Sequence, residues 1–419
     1  MSPISQPATT PTAARRGASV STPPVRLPEP GLDRLPQLTA VLAARAAEHD
    51  RDASFPYQGV AAVHRAGLLT APVGRAPGGP GAGLADTVRI LRALGGGDPA
   101  VALVTAMTLF THAAQARDGG WPQRAYDELL AASAAGPVLV NALRVEPELG
   151  SPVRGGLPAT VARQRGDHWE LTGHKIFSTG AEALGWMLVW ARTDEAEPRV
   201  GSFLVRSGSR GLTVLPTWNH LGLRASRSDD VLLDAVPVPL GDVAGLAAPG
   251  SDAGRNPVGG AWNALGLTAL YLGVARAAQH WLTGFLHQRT PTALGAPLAS
   301  LPRFQTAVGE IDTALTGAER LVTALARAVD DGEQDAAADA GAAKVIGTRA
   351  AIGAVEQAVA LTGNHGLTQD NPLQRHLRDV LCSRVHTPQD DMVLLTAGRA
   401  ALARRSTASA PTPIPTEGN

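Results

Sequence analysis

Gly166-Asp-His-Trp-Glu-Leu-Thr-Gly-His-Lys-Ile-Phe-Ser-Thr-Gly180 decides how the middle of this chain folds. Gly166-Asp167 is a turn pair, and Trp169-Glu170-Leu171 behind it alternates apolar, polar, apolar, the pattern of a half-buried strand. Further short strands are predicted at the apolar run Trp186 to Trp190, at Phe203-Leu204-Val205 and at Val231-Leu232-Leu233. Five or more strands within about 100 residues, between Val138 and Leu240, predict a small barrel or sandwich.

The period is helical on either side. Leu35, Leu38, Val41 and Leu42 fall on one predicted helix face, and a second short helix carries Val60 and Val63 before stopping near Gly67. Pro-Gly-Gly-Pro-Gly-Ala-Gly at 77–83 lacks the Gly-Lys-Ser/Thr ending of a phosphate loop and reads as a linker. Helices resume near Leu84 and after Asp98-Pro99, where proline suits a first turn. Beyond Asn256 the stripes lengthen: Leu267, Leu270, Tyr271, Val274, Trp281, Leu282 and Phe285, then Phe304, Val308, Ile311, Leu315, Leu321, Val322, Leu325 and Val329. With 336–361 and 372–385 they predict four antiparallel helices, and Pro388 interrupts before a last helical stretch to about Ala403. The expected organisation is α+β and mainly α. It comprises an N-terminal helical domain (31–136), a central β domain (137–245) and a C-terminal four-helix bundle (246–405). The Ser/Thr/Pro-rich ends, 1–30 and 406–419, are expected to be disordered.

Composition narrows the class. Of 419 residues 44% are hydrophobic but only 4% aromatic, so the core must be built from Ala, Leu and Val. The formal net charge of +0 argues against a nucleic-acid footprint. The lone cysteine, Cys382, excludes an internal disulfide framework. No continuous apolar run has membrane-spanning length and the start has no secretory h-region, which predicts a soluble cytoplasmic protein. HExxH, GxSxG, GxGxxG after a strand and EF-hand patterns are missing. His376 and His386 are ten apart, not a helical metal-ligand spacing, so no metal is expected.

Five segments in order then carry a resemblance. They are Asn141-Ala-Leu-Arg-Val-Glu-Pro-Glu-Leu-Gly-Ser151, Gly173-His-Lys-Ile-Phe-Ser-Thr-Gly180, Leu221-Gly-Leu-Arg-Ala-Ser226, Val236-Pro-Val-Pro239 and Asn371-Pro-Leu-Gln-Arg-His-Leu-Arg-Asp379. Together they resemble the acyl-CoA dehydrogenase superfamily of flavoproteins over about residues 32–404. The resemblance implies that the β domain is a barrel and that the protein is a homotetramer binding FAD or FMN. It implies that Asn141, Leu143 and Val145 line the isoalloxazine, that Ser151 approaches the cofactor phosphate or the substrate mouth, and that Phe177 and Thr179 flank the ring. It also implies that Arg289, Gly363, Asn364 and Gly366 hold the adenylate of a neighbouring subunit's cofactor.

The departures from the family pattern bear on the reaction. Where most members carry the catalytic glutamate this chain has Thr387, and the alternative glutamate position holds Asn263. Neither can act as a base near neutral pH. Ala261 and Ala264 replace the Asp and Arg that help hold acyl-CoA, and with Gly259 and Gly260 they predict room for a bulky substrate. The chain is more similar to the branch of flavin-dependent monooxygenases fed by a partner reductase, at Asn141-Ala-Leu, Phe177-Ser-Thr-Gly180 and Arg384-Val-His-Thr-Pro-Gln-Asp390. Such an enzyme needs a dry pocket and a donor beside the flavin. His386 is the candidate donor, with Asp390 or Asp391 expected to hold its other nitrogen; Thr179 is a second and His112 a weaker candidate. Two alternatives stay open. One is an acyl-thioester dehydrogenase coupled to an electron-transfer flavoprotein, with a base relocated to Asp390, Asp391 or Glu182. The other is a flavin-free binding scaffold.

Overall fold

The computed structural model describes residues 26–148, 156–250, 256–333 and 335–407. Five helices come first: α1 (Leu35–Asp52), α2 (Tyr57–Arg65), α3 (Leu84–Gly97), α4 (Pro99–Asp118) and α5 (Gln123–Ala135). Eight strands follow: β1 (Leu139–Leu143), β2 (Val161–Arg165), β3 (His168–Lys175), β4 (Leu184–Thr193), β5 (Val200–Arg206), β6 (Leu212–Leu215), β7 (Asp230–Pro239) and β8 (Val243–Ala247). The last region holds α6 (Pro257–Gln288), α7 (Pro302–Asp330), α8 (Ala336–Thr362), the single turn α9 (Asn364–Leu367), α10 (Leu373–Leu381) and α11 (Asp390–Thr407). The fold is mainly helical around one central sheet, in the predicted order.

Asp98 starts α4 as its side chain accepts from the Ala100 and Val101 amides, ahead of Pro99. Asn256 does the same for α6 through the Gly259 amide. Leu35, Leu38 and Leu42 of α1 are buried as expected, but Val41 is 53% exposed, off the 3.6-residue stripe that Ala46 continues. Leu27, placed by composition in the N-terminal tail, is buried with Val73, Trp121 and Tyr126.

The sheet corrects the barrel. Its order is β6-β7-β3-β2-β4-β5-β8, with β1 also on β4, and the outermost strands β6 and β8 do not pair. The weak joint is between β2 and β4, which share only the pairs Val161–Arg192 and Ala162–Thr193 because β1 occupies the rest of that β4 edge. The halves fold over a common core instead of closing. Trp169 of β3 meets Phe203 of β5 edge-on at 5.6 Å, among Leu171, Val205, Val231 and Val236.

Helix α6 is the axis of the molecule. It is long and apolar enough to cross a membrane by composition, but 78% of its apolar window is buried inside the protein. It packs on α3 through glycines: a Cβ on Gly95 would strike the Leu270 carbonyl, and one on Gly273 the Arg92 carbonyl. Its other faces meet α7, α8 and α10, completing the bundle.

Candidate active site

The loop after β3 is held from outside by the loop before β7. Ser178 N donates to Asp229 O (3.2 Å), Gly180 N to Ser226 O (2.9 Å) and Ala181 N to Arg227 O (3.1 Å). Three non-glycine residues here have left-handed backbones: Phe177 (φ 55°), Leu223 (φ 52°) and Arg227 (φ 43°). Such strain is tolerated where surrounding bonds over-determine it, and it clusters at functional sites. One product is Phe177, a phenyl ring 53% exposed. It makes only edge contacts, with Trp218 (6.4 Å) and His220 (5.7 Å), which stack on each other at 3.6 Å. Another is the hydroxyl chain Ser226–Ser228–Thr179, with steps of 2.8 and 3.1 Å. Ser228 donates to Thr179 Oγ1, so the Thr179 hydrogen remains available to a ligand. Asn141 Nδ2 donates to Thr179 O at 3.1 Å, tying β1 to this loop.

Helix α4 links the loop to the bundle. Its Thr108 hydroxyl lies 3.0 Å from Val140 N, and Val104 packs under Gly180. On the same helix Phe110 packs against Gly266 of α6 and Arg117 against Gly259. This half of α6 carries Asn263, whose Nδ2 donates to Thr387 O at 2.5 Å. The two positions singled out for their missing carboxylates are in contact. The neighbouring His386 has its Nε2 2.7 Å from the Tyr271 hydroxyl. Burial first, then the Lys344 charge, lowers its pKa to about 4, so the ring is neutral.

Other sequence candidates are placed differently. Tyr271 holds His386 Nε2, and Asp390, one of the two aspartates expected there, pairs instead with Lys344 (3.3 Å) and Arg349 (3.3 Å). Glu182 is engaged by Tyr57 (3.1 Å) and Arg227 (3.4 Å). Ala261 and Ala264 are each 1% exposed, so their small size serves helix packing and not an open pocket. Leu143 lies in the interior of the folded sheet, while Val145 meets the Phe177 loop through Ile176 N, 3.0 Å from its carbonyl. His112 is sealed in α4, its Nδ1 3.1 Å from the Tyr126 hydroxyl, and burial lowers its pKa to about 4. Arg289 is exposed just past α6, with Gly363 and Asn364 exposed nearby, since Phe285 and His365 pack at 5.4 Å. Gly366 is buried where a Cβ would strike Thr362. Ser151 lies outside the described residues. The Trp218–His220 stack and the Ser226–Ser228 chain were not found by sequence reasoning, although Leu221–Ser226 borders both; Tyr271 was read only as core.

Three family models match in order: the acyl-CoA dehydrogenase N-terminal domain over residues 38–124, its middle domain over 144–236 and its C-terminal domain over 265–390. The chain belongs to the acyl-CoA dehydrogenase family. It is 29% identical over 365 residues to YdbM of Bacillus subtilis, covering 87% of this chain and 94% of that protein. It is 29% identical over 368 residues to the amino sugar nitrososynthase DnmZ of Streptomyces peucetius, covering 83% and 87%. Among solved structures, KijD3 in complex with FMN and an amino-keto sugar nucleotide superposes with a TM-score of 0.75 at 28% identity, covering 88% of this chain and 93% of that one. As a member of this family the protein is a flavin-dependent oxidoreductase, using FAD or FMN. Its residues fit such a group. Phe177 offers an uncovered aromatic face held by its backbone, and Thr179 and Asn141 place polar groups at its edge, as a flat apolar ring with a polar rim requires.

Proposed function

We propose that this family member is a reduced-flavin, O2-dependent monooxygenase or oxidase acting on a small molecule. The observation that carries the reading is the Asn263–Thr387 hydrogen bond. An acyl-thioester dehydrogenase needs a carboxylate to take a carbon-bound proton, and here an amide and a hydroxyl occupy those positions, the Asn263 amide donating to the Thr387 backbone carbonyl (2.5 Å) and lying 3.4 Å from its hydroxyl. Glu182 and Asp390 are engaged in ion pairs with Arg227 and with Lys344 and Arg349. A bound flavin supplies two-electron redox chemistry. The chain's residues would do the rest: Phe177 would cover the ring, Thr179 would donate to its polar edge, and the neutral His386, half-buried between α6 and α8, would donate a hydrogen bond to oxygen from its free nitrogen. DnmZ, an amino sugar nitrososynthase, and KijD3, with its FMN and sugar nucleotide, are relatives compatible with this reading. It calls for a partner flavin reductase and a cofactor shared across a homotetramer.

Short- and medium-chain acyl-CoA thioesters should reduce the bound flavin poorly, because general-base catalysis is worth ~10²–10⁴-fold. Anaerobic mixing with such thioesters checks this, and rapid bleaching of the flavin would restore the dehydrogenase reading. With reduced flavin the enzyme should consume O2. His386→Ala should keep the fold and the flavin but lose ~10²–10³-fold in oxygenating turnover, with hydrogen peroxide released instead. Equal peroxide release in both proteins would remove His386 from the chemistry.

A further inference from the structure

We infer that Tyr271 is a positioning residue for His386: its hydroxyl donates to Nε2, which leaves the ring proton on Nδ1 and makes Nδ1–H the donor that His386 presents to a ligand. The inference deepens the proposed function and rests on its reading of His386 as a donor, but the tautomer can be measured independently of that reading.

Tyr271 sits in the middle of α6 and is fully buried. Its hydroxyl has one hydrogen-bond partner among the described residues, His386 Nε2 at 2.7 Å. A buried hydroxyl with no acceptor for its hydrogen is costly. Were Nε2 protonated, it would donate to the hydroxyl oxygen and leave the Tyr271 hydrogen with nothing to accept it. The opposite polarity satisfies both groups. It requires a neutral imidazole, and the surroundings enforce one. Lys344 approaches from α8, itself paired with Asp390 at 3.3 Å, and its charge and the burial both oppose a second proton on the ring. Tyr271 also stays protonated, because burial, with the fields of Cys382 and Asp379, raises its pKa well above that of an ordinary phenol. With Nε2 committed, Nδ1 is the ring atom left, and it makes no hydrogen bond to the described residues. A tautomer fixed by the bond to the opposite nitrogen is a common device for making a histidine a dedicated donor or acceptor.

The test is imidazole 15N spectroscopy on full-length, flavin-free protein labelled at histidine, with the His386 signal assigned by its loss in His386→Asn. The expected result is a neutral Nδ1–H ring between about pH 5 and 8, and conversion to an Nε2–H or mixed form in Tyr271→Phe. An Nε2–H ring in the parent, or an unchanged Nδ1–H ring in Tyr271→Phe, would overturn the inference. Should Tyr271→Phe not fold, the parent spectrum decides the tautomer, and a pair of His386 variants tests whether a ligand uses it. An asparagine amide mimics Nδ1–H and a glutamine amide reaches toward Nε2. With reduced FMN and O2, His386→Asn should therefore release peroxide ~10-fold more slowly than His386→Gln, part of the ~10²–10³-fold effect of one such donor. The two readings fail separately. An Nδ1–H ring with equal peroxide release in every variant would uphold Tyr271 and remove the oxygen-donor role. An Nε2–H ring with peroxide release raised in His386→Ala would do the reverse.

Discussion

His376 is the residue whose cost can be read most directly. Its ring is 4% exposed and its Nδ1 has no hydrogen-bond partner among the described residues. Burial, then the Arg375 charge, lowers its pKa from 6.5 to about 3. The folded value lies below the unfolded one, so between about pH 6.5 and 3 the unfolded chain binds the extra proton. Stability is therefore lost as the pH falls through that window and is unaffected above it, at about 1.4 kcal/mol per pH unit. His376→Leu removes this penalty. The gain in stability from the substitution should be about 2 kcal/mol larger at pH 5 than at pH 7.5, measured by urea unfolding. Asp379, raised to about 7 chiefly by burial, works in the opposite sense over much of this window, but it is common to both proteins and cancels in the comparison. A gain independent of pH would mean that His376 titrates normally. At this scale the sequence was informative wherever chemistry depends on residue type. Asn263 and Thr387 were marked by what they are not, and the structure joins them. It was silent on polarity set by distant partners: Tyr271 and His386 are 115 positions apart, and nothing in a helical stripe distinguishes a core tyrosine from one that orients a histidine.

Elements bring those residues together through a few close backbone approaches. Gly222 is one, since a Cβ there would strike the Arg378 carbonyl. Beside it Leu223 N donates to Asp379 Oδ1 (2.7 Å), Arg378 forks onto Asp50 (2.5 and 2.9 Å), and Arg224 reaches the Asp50 carbonyl (2.7 Å). These bonds fasten α1, the loop before β7 and α10 at one point, from which Ser226 and Ser228 hold Thr179. Gly222→Ala should destabilise the protein by about 1–3 kcal/mol, the usual cost of overpacking, and should weaken flavin binding more than the lost stability accounts for. Gly317→Ala on α7, where a Cβ meets nothing within 4 Å, should instead stabilise by up to about 1 kcal/mol. Equal flavin affinity in Gly222→Ala and parent would show that the fastening does not hold the site. Helices were legible for two reasons: α7 keeps a one-sided stripe through Phe304, Ile311, Leu315 and Val322, and α6, buried all round from Ala264 to Ala275, is long and apolar. Sheet closure was not. It depends on β1 and β2 sharing one edge of β4, a competition that strand-by-strand alternation does not record.

For the whole molecule, the two groups of residues expected to hold the cofactor sit at opposite ends of one helix. The Phe177–Thr179 loop and Asn263 are joined by α4 near the start of α6, whereas Arg289 follows its last turn, with Gly363 and Asn364 beside it through the Phe285–His365 contact. Asn263 and Arg289 are 26 positions apart, which at 1.5 Å per residue is about 39 Å, farther than an extended dinucleotide flavin reaches. One chain therefore cannot hold both ends of an FAD with these residues, and the proposed sharing across copies would have each lend its Arg289 end to the other's Phe177 loop. FMN has no adenylate and needs only the Phe177 end. Arg289→Ala should then weaken FAD binding by ~10-fold or more, the scale of a charge-assisted contact of about 1.5–3 kcal/mol, and leave FMN binding within about 2-fold. Titration of both flavins by fluorescence quenching, with oligomeric state followed by sedimentation, checks this. Equal loss for FAD and FMN would place Arg289 in the assembly alone. No loss for either would mean that the flavin is held within one chain or is FMN, its phosphate end fixed elsewhere.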